Sequence, residues 1–501
     1  MMTQSTTDIN GQDIPKAPIS RNNSKISISQ PQPSSPPGQE ENILSEIKTQ
    51  KLAYLFHEVE SQFELSLSTL QSIQEAFLNE MELGLSRDGG QLPMIPTFVT
   101  GRPTGEEIGS YFAIDLGGSN LRICLVHLRG SKQPVQVLQR KFVVPEELKS
   151  AEAKQLFDYI ATHIENFILE HKVSSSNSND TIPLGFTFSF PVTQTAINRG
   201  KLLMWNKGFT CPGALGKDVV QLLQDALDRR LLNVTVAAIV NDTVGTLLSS
   251  AYTYPNTLAG VILGTGTNAA YYEKLSNIKK WKGDPNISDE MILNIEWGSF
   301  DTDKEYIPCT SFDHKLDRET QNPYEMVLEK MISGRYLGEI VRNILLYLID
   351  NRALFKGRST TILNSPYQLL TSYLSEISAD DSPRLTKTRH IFEDIIGISR
   401  DSITLKELET IKGICNIVAR RSARLSATVL SAVVKKRMDC VEDEVTIGID
   451  GSLFEHHPNF KKDMLLALEE LMGDDATKVK LVIAKDGSGI GAAMTAMIAS
   501  T

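Results

Sequence analysis

Residues 241 and 242 read Asn-Asp, and they stand where the apolar run Val236-Ala237-Ala238-Ile239-Val240 gives way to Thr243-Val244-Gly245-Thr246-Leu247. An amide and a carboxylate held where a buried strand runs out can hydrogen-bond a hydroxylated substrate and take a proton from it, and α/β enzymes keep their chemistry at such strand ends. Asn and Asp are also ordinary helix N-caps, so the pair alone decides nothing. Two glycine turns shift the balance. Both follow strand-like runs: Phe112-Ala113-Ile114-Asp115-Leu116-Gly117-Gly118-Ser119-Asn120-Leu121-Arg122 and Ala259-Gly260-Val261-Ile262-Leu263-Gly264-Thr265-Gly266-Thr267-Asn268. Residues without Cβ let backbone N–H groups converge on phosphate oxygens. A third stretch, Val445-Thr446-Ile447-Gly448-Ile449-Asp450-Gly451-Ser452, lies near the C-terminus. Any one of these could be a tight hairpin. Three in one chain, with hydroxyls and an acid beside them, suit a nucleotide cleft better.

The elements needed to position such groups are legible in outline. A chain of 501 residues can bury two or three cores, and 41% hydrophobic residues is ordinary for a soluble globular protein. Residues 1 to 40 contain no Phe, Trp or Tyr and are rich in Pro, Ser, Gln and Asn, a composition that cannot bury a core and reads as a disordered tail. Helical spacing follows: Leu52, Leu55, Phe56, Val59 and Phe63 form one stripe, and Leu70, Ile73, Phe77 and Met81 a second, with Gly84 as its expected stop. Strands are expected near 111 to 128, 136 to 144 and 183 to 190, helices near 150 to 170, Leu405 to Lys436 and Lys461 to Leu471, and a last strand at Val479 to Ile483. A polar loop is expected at Ser174 to Asp180, and Gly487-Ser488-Gly489 should open a terminal helix. Repeated strand, glycine turn and helix units suit a duplicated α/β fold.

Lys plus Arg is 51 against 61 for Asp plus Glu, a net charge of −10, which argues against nucleic acid or an anionic membrane as the main partner. The five cysteines (Cys124, Cys211, Cys309, Cys415 and Cys440) form no CxxC pair and no metal-ligand spacing with histidine, so reduced thiols in a cytoplasmic protein are expected. No charged leader precedes an apolar stretch, and no apolar run approaches ~18 residues, so neither secretion nor a membrane span is expected.

Eight segments in order, AIDLGGSNLR at 113, LGFTFSFP at 184, LLMWNKGF at 202, NDTVGTL at 241, LGTGTN at 263, NIEWGSF at 294, LEKMISGRYLGE at 328 and IGIDGSLFEHHPNF at 447, make the chain resemble the eukaryotic, fungal-type hexokinase and glucokinase family of the actin-like ATPase superfamily, from about Glu41 onward. The resemblance implies a two-domain α/β, ribonuclease H-like fold with a cleft between a large domain (41–104 plus 241–485) and a small one (105–240 plus 486–501). It implies transfer of phosphate from ATP to the 6-hydroxyl of glucose or a related hexose, giving glucose 6-phosphate and ADP as the first step of glycolysis, with Mg²⁺ as cofactor and a monomer or homodimer as the working form. In the family's pattern Asp242 is the catalytic base, and Ser189, Asn206, Lys207, Asn241, Asn268, Glu296 and Glu329 join it in holding the sugar. Asp115 orients hydrated Mg²⁺. Gly117, Gly118, Ser119, Asn120, Arg122, Lys141, Gly264, Thr265, Gly266, Gly334, Gly451 and Ser452 face ATP.

Departures from the family fall on the sugar side. Its Trp-Thr-Lys-Gly-Phe reads Trp205-Asn206-Lys207-Gly208-Phe209 here, its Asn-Pro-Gly-Gln-Gln reads Asn322-Pro323-Tyr324-Glu325-Met326, and Ser119 stands where Thr is usual. Gly264 to Ala269 matches the GxGxxA of dinucleotide-binding proteins, but the following Ala270-Tyr271-Tyr272-Glu273 looks like a returning strand where that motif requires a helix. No GxxxxGK[ST] exists to make a P-loop kinase. A hexokinase-like sugar sensor with weak or no kinase activity, or a kinase for another hexose such as N-acetylglucosamine, are the alternatives that keep the same residues.

Overall fold

Thirteen strands follow one another as β1 (Ile95–Pro96), β2 (Ile108–Leu116), β3 (Asn120–Arg129), β4 (Gln136–Val143), β5 (Ile182–Phe188), β6 (Val192–Ala196), β7 (Arg199–Leu202), β8 (Val234–Val240), β9 (Thr257–Leu263), β10 (Thr267–Lys274), β11 (Glu290–Asn294), β12 (Val445–Asp450) and β13 (Val479–Ile483) among the described residues. The computed structural model describes residues 39–118, 120–130, 133–171, 173, 181–205, 208–440, 444–484 and 486–500. Ser119, Asn206 and Lys207, the loop at 174–180 and the tail up to residue 38 lie outside the described residues. The chain falls into two units, Met1–Lys48 and Thr49–Thr501, and all three sheets among the described residues lie in the second.

The two large sheets share a plan, and β6 and β7 form a separate antiparallel pair. One is five-stranded in the order β4-β3-β2-β5-β8, and the other is six-stranded in the order β1-β11-β10-β9-β12-β13. In both, three antiparallel strands (β2, β3, β4 and β9, β10, β11) form a meander, and two more join parallel on the far side of its first strand. The glycine turns at 117–118 and 264–266 occupy the same place in both: each is the hairpin between the first and second strands. Ala270 to Glu273 is the returning strand the sequence implies. Inner strands, covered on both faces, read as apolar runs: every residue of β9 but Ile262, and every residue of β5 but Ile182 and Pro183, is buried.

Helices cover the sheets. Leu405–Lys436 runs as expected, 32 residues opened by a Thr404–Glu407 capping box and closed by Lys435 and Lys436, which suit the negative end of its dipole. Phe460–Met472 and Val479–Ile483 also form where expected. Gly84 is a correction. The helix Leu67–Ser86 runs past it, and a Cβ there would stand 2.3 Å from Leu92 O and 2.6 Å from Met94 Cγ. This glycine permits close packing and does not stop the helix.

A third apolar cluster joins the two sheets through Val99, Ala113, Val240, Val244, Tyr272 and Met494. Around it the backbones touch: a Cβ on Gly491 would fall 2.1 Å from Gly245 Cα, and one on Gly185 1.9 Å from Ala492 O. The terminal helix Gly487–Ser500 therefore lies directly on β5 and on the helix Asp242–Thr253. No helix among the described residues is long and apolar enough to cross a membrane. Cys124, Cys211, Cys309 and Cys415 are free thiols.

Candidate active site

Three strands carry a carboxylate at or beside their C-terminal end: β12 ends at Asp450, β2 has Asp115 as its last residue but one, and β8 stops two residues before Asp242. Asn241 does cap the helix that Asp242 opens. Its φ and ψ of −80° and 157° are extended, and its Oδ1 accepts from Thr243 N at 2.9 Å and Thr243 Oγ1 at 2.7 Å. The cap and the functional reading are compatible, because the Asn241 amide nitrogen and the Asp242 carboxylate still lie at the strand end. Asp242 is close enough to Glu296 and Asp450 for its charge to raise the pKa of both.

The expected sugar-side acids and amides converge on β10, β11 and the turn after it. Asn268 Nδ2 donates to Asn294 Oδ1 at 2.8 Å and to Glu296 Oε1 at 3.1 Å, while its Oδ1 accepts from the backbone of Ala269 and Glu296. Asn294 Nδ2 donates to Glu296 Oε1 at 2.7 Å. Glu296 sits in the left-handed region (φ 57°), turned inward by its buried neighbour Trp297, whose Nε1 donates to Thr267 Oγ1 at 2.9 Å. Burial, joined by the charges of Asp242 and Glu329, raises the Glu296 pKa against the N–H donors of Asn294 and Asn268. Glu329 does not pair with Lys330 on a solvated helix face. Its Oε2 accepts from Thr267 N at 3.2 Å, and Lys330 Nζ turns the other way, to Asp317 at 2.7 Å. Ser189 follows β5 directly and is half-buried.

At the other end the groups are mostly backbone. Gly117 N donates to Asn120 O at 3.0 Å across the first hairpin, with Gly118 at its tip, and Gly264 N to Gly266 O at 3.1 Å across the second. The second hairpin is packed on other turns. Gly334 N donates to Gly264 O at 2.7 Å and Arg335 N to Thr265 O at 3.1 Å. Gly451, at φ 136°, lies so close that a Cβ would be 2.2 Å from Leu263 O, and Ser452 opens the short helix that follows it. Asp115 accepts from Ser488 Oγ at 2.8 Å, and Arg122 pairs with Asp486 at 3.2 Å. Lys141 lies exposed on the edge strand β4, in register with Arg122.

Asn294, Asp450 and Ser488 belong to this network and escaped the sequence reading. Asn294 and Asp450 each end an apolar strand with a polar side chain, a signal that was available. Ser488 has none, because its partner Asp115 is 373 residues away. Burial and the charge of Asp242 push the Asp450 pKa up to about 6, against the opposing effect of Arg122, with Asp486 and Glu455 adding to the rise. The acids at this end, Asp115 and Asp450, offer only oxygen donors. That fits Mg²⁺, which keeps several waters and is held by one or two carboxylates and by substrate phosphates.

Two sequence models described as Hexokinase match the chain, over residues 55–252 and 258–498. It is 41% identical over 441 residues to hexokinase-1 of Arabidopsis thaliana, covering 86% of this chain and 88% of that protein. It is 38% identical over 451 residues to hexokinase-1 of Saccharomyces cerevisiae, covering 88% and 91%. The solved structure of hexokinase from Schistosoma mansoni complexed with glucose superposes with a TM-score of 0.80 at 34% identity, over 90% of this chain and 100% of that one. On these matches the chain belongs to the hexokinase family and has its two-domain actin-like ATPase fold.

Proposed function

We propose that this protein transfers the γ-phosphoryl group of ATP to the 6-hydroxyl of glucose or a related hexose, giving glucose 6-phosphate and ADP at the entry to glycolysis. The observation that carries the reading is the interlocked set Asn268, Asn294 and Glu296, whose acid feels the charges of both Asp242 and Glu329. Paired acids and amides are what a ring of hydroxyls needs, because each can engage two of them and a missing oxygen leaves a buried group unpaired. The glucose held by the Schistosoma mansoni enzyme supports a hexose here.

Asn241, Asp242, Asn268, Glu296 and Glu329 bind and orient the sugar, together with Ser189, Asn206 and Lys207. Asp242 takes the proton of the 6-hydroxyl. A carboxylate is a weak base for a free alcohol, but the hydroxyl turns acidic as its oxygen bonds to phosphorus, so late removal suffices. Gly117, Gly118, Asn120 and Arg122 on one hairpin, Gly264, Thr265 and Gly266 on the other, and Ser119 hold the phosphates. Gly334, Gly451, Ser452 and Lys141 complete the ATP side. Asp115, with Asp450 beside Asp242, would hold Mg²⁺ through water, and the ion when bound supplies charge neutralisation on the phosphates. The working division is a large domain, 41–104 plus 241–485, and a small one, 105–240 plus 486–501, closing on the sugar to exclude water. Four free thiols support a reducing, cytoplasmic setting, with the enzyme acting as a monomer or homodimer.

A coupled assay of purified protein with Mg-ATP and a panel of hexoses tests the reading. Hexose-dependent ADP release is expected, with glucose among the accepted sugars; no turnover with any hexose would overturn it.

A further inference from the structure

Asp317, on the helix Ser311–Glu319, is buried and ties three segments together. Its Oδ2 accepts from Lys304 Nζ at 2.5 Å, and its Oδ1 from Lys330 Nζ at 2.7 Å and from Tyr324 N at 3.0 Å. Lys330 Nζ also donates to Asn322 O at 2.6 Å. Lys304 lies on the turn that follows Glu296-Trp297-Gly298, and Lys330 is the neighbour of Glu329, so the carboxylate joins both sugar-side acids' segments to the loop 322–326. That loop holds Tyr324 at φ 66° and Met326 at φ 53°, left-handed positions that a residue with a Cβ keeps only when its surroundings impose them. The imposed path carries Met326 inward. Its Cε is 2.6 Å from where a Cβ on Gly298 would stand, and Glu329 Oε2 is 3.7 Å from the same point.

The geometry points to Met326 as a specificity-determining wall of the sugar pocket, kept there by Asp317 as a positioning residue. The inference rests on the hexose-kinase reading above. Around this end Asn268, Asn294, Glu296 and Glu329 offer donors and acceptors, whereas Met326 offers a thioether methyl with no donor. A ring hydroxyl facing that methyl is recognised by contact alone. An analogue lacking it therefore leaves no protein group unpaired, while one lacking a hydroxyl that faces the acids does. Asp317 is needed because a buried ammonium group (Lys330), a partly buried one (Lys304) and a strained loop have no other common partner in this set, and without it the loop would relax away from Gly298.

The test titrates glucose and its monodeoxy analogues into wild type and Met326→Gln by calorimetry, with turnover on Mg-ATP read in parallel. Gln matches Met in length and adds a donor and an acceptor. The expected result is a selective one: the preference for glucose over a single analogue rises by about tenfold or more, the other ratios hold, and the KM for ATP stays put. Uniform scaling of all sugars, or no change, overturns the role of Met326. Asp317→Asn is expected to raise sugar KM about tenfold with ATP KM changed less than about twofold; should it not fold, Lys304→Met removes one arm of the clamp and reads the same split. A lower melting temperature with sugar KM unchanged would make the clamp merely structural and overturn its part. Wild type that binds sugars in this pattern without turnover refutes the kinase reading alone and leaves the inference standing, whereas no sugar binding at all overturns both.

Discussion

The two glycine hairpins hold the same place in two sheets of the same strand order, yet they are built in opposite ways. At the first, a Cβ on Gly117 would meet only Asn120 O, at 3.8 Å, and the acid Asp115 stands on the hairpin's own strand, fixed by a hydroxyl from the terminal helix. At the second there is no acid on the strand and almost no room: a Cβ would come within 3.1 Å of Glu329 Oε2 at Gly266, within 2.8 Å of Gly264 O at Gly334, and within 2.2 Å of Leu263 O at Gly451. Its acid, Asp450, comes from the next strand over. One duplicated scaffold has divided the work. The first hairpin offers charge at an open edge, and the second offers backbone held rigid by packing.

The largest effect should come where neither hairpin can compensate. Asp242 lies at the junction of the two sheets, and Asp242→Ala is expected to lower turnover by about 10² to 10⁴, the scale for removing a positioned base, while sugar binding survives. Rapid-quench turnover and calorimetric sugar titration on the same preparation check this, and near wild-type turnover would end the assignment of the base.

Next in size is a break in the polar set beside the second hairpin. Asn294→Ala removes a donor to Glu296 and the acceptor of an Asn268 N–H. A hydrogen bond to a charged group is worth about 1.5–3 kcal/mol, so sugar KM should rise about tenfold to a hundredfold with ATP KM little changed. The lost donor also lets the Glu296 pKa climb further, so the acid limb of sugar affinity should move to higher pH. A parallel rise in both KM values would show that the two ends are not separable.

How much of this contrast could be read from the chain depends on the distance over which each feature is encoded. Strand, glycine turn and helix units are local, and so is the capped helix Leu405–Lys436. All appear where hydrophobic period and turn residues place them. The Asn241–Asp242 pair was legible for the same reason. Gly84 was misread because a stop and a close contact look alike in sequence, and only Leu92 and Met94 packed against it tell them apart. That Lys330 turns from its neighbour Glu329 to Asp317 is likewise hidden, since helix spacing cannot show what waits on the other side. Asn268 and Asn294 meet across antiparallel neighbours 26 residues apart, and Ser488 meets Asp115 across nearly the whole chain. Such pairings exist only once the sheets are formed.

Gly451→Ala probes the packed hairpin from behind. The new methyl would overlap Leu263 O and stand 2.7 Å from Gly264 N, in a backbone conformation (φ 136°) that L residues avoid. The hairpin must shift, costing about 1–3 kcal/mol of stability and weakening ATP binding about tenfold, with sugar affinity nearly kept. Gly117→Ala is the control at the open hairpin and should leave the melting temperature almost unchanged. Equal thermal losses in the two variants would erase the contrast between the hairpins.

The smallest effect, and the finest test of the division of charge, is at Asp450. Its folded pKa of about 6 lies above the ordinary aspartate value of 3.8, so between those limits the folded state holds more protons than the unfolded one. Stability linked to this group is therefore full below pH 4 and falls as pH rises toward 6, after which the penalty is constant. The cause is burial beside Asp242, a cost that makes sense where a divalent ion and phosphates are to be received. Asp450→Asn keeps the shape and deletes the charge. Against wild type it should gain nothing near pH 4 and gain on the order of 1–2 kcal/mol above pH 6, the shift being discounted for partial solvent contact. The same variant should bind Mg-ATP more weakly and demand more Mg²⁺ for half-maximal rate, since stability gained by neutralising a functional acid is paid back in function. Denaturant melts at both pH values, with and without nucleotide, separate the two halves of the expectation. A variant no more stable than wild type above pH 6 would mean that Arg122 already balances the charge, and that the open hairpin, through its arginine, reaches farther into the packed side than the division of labour allows.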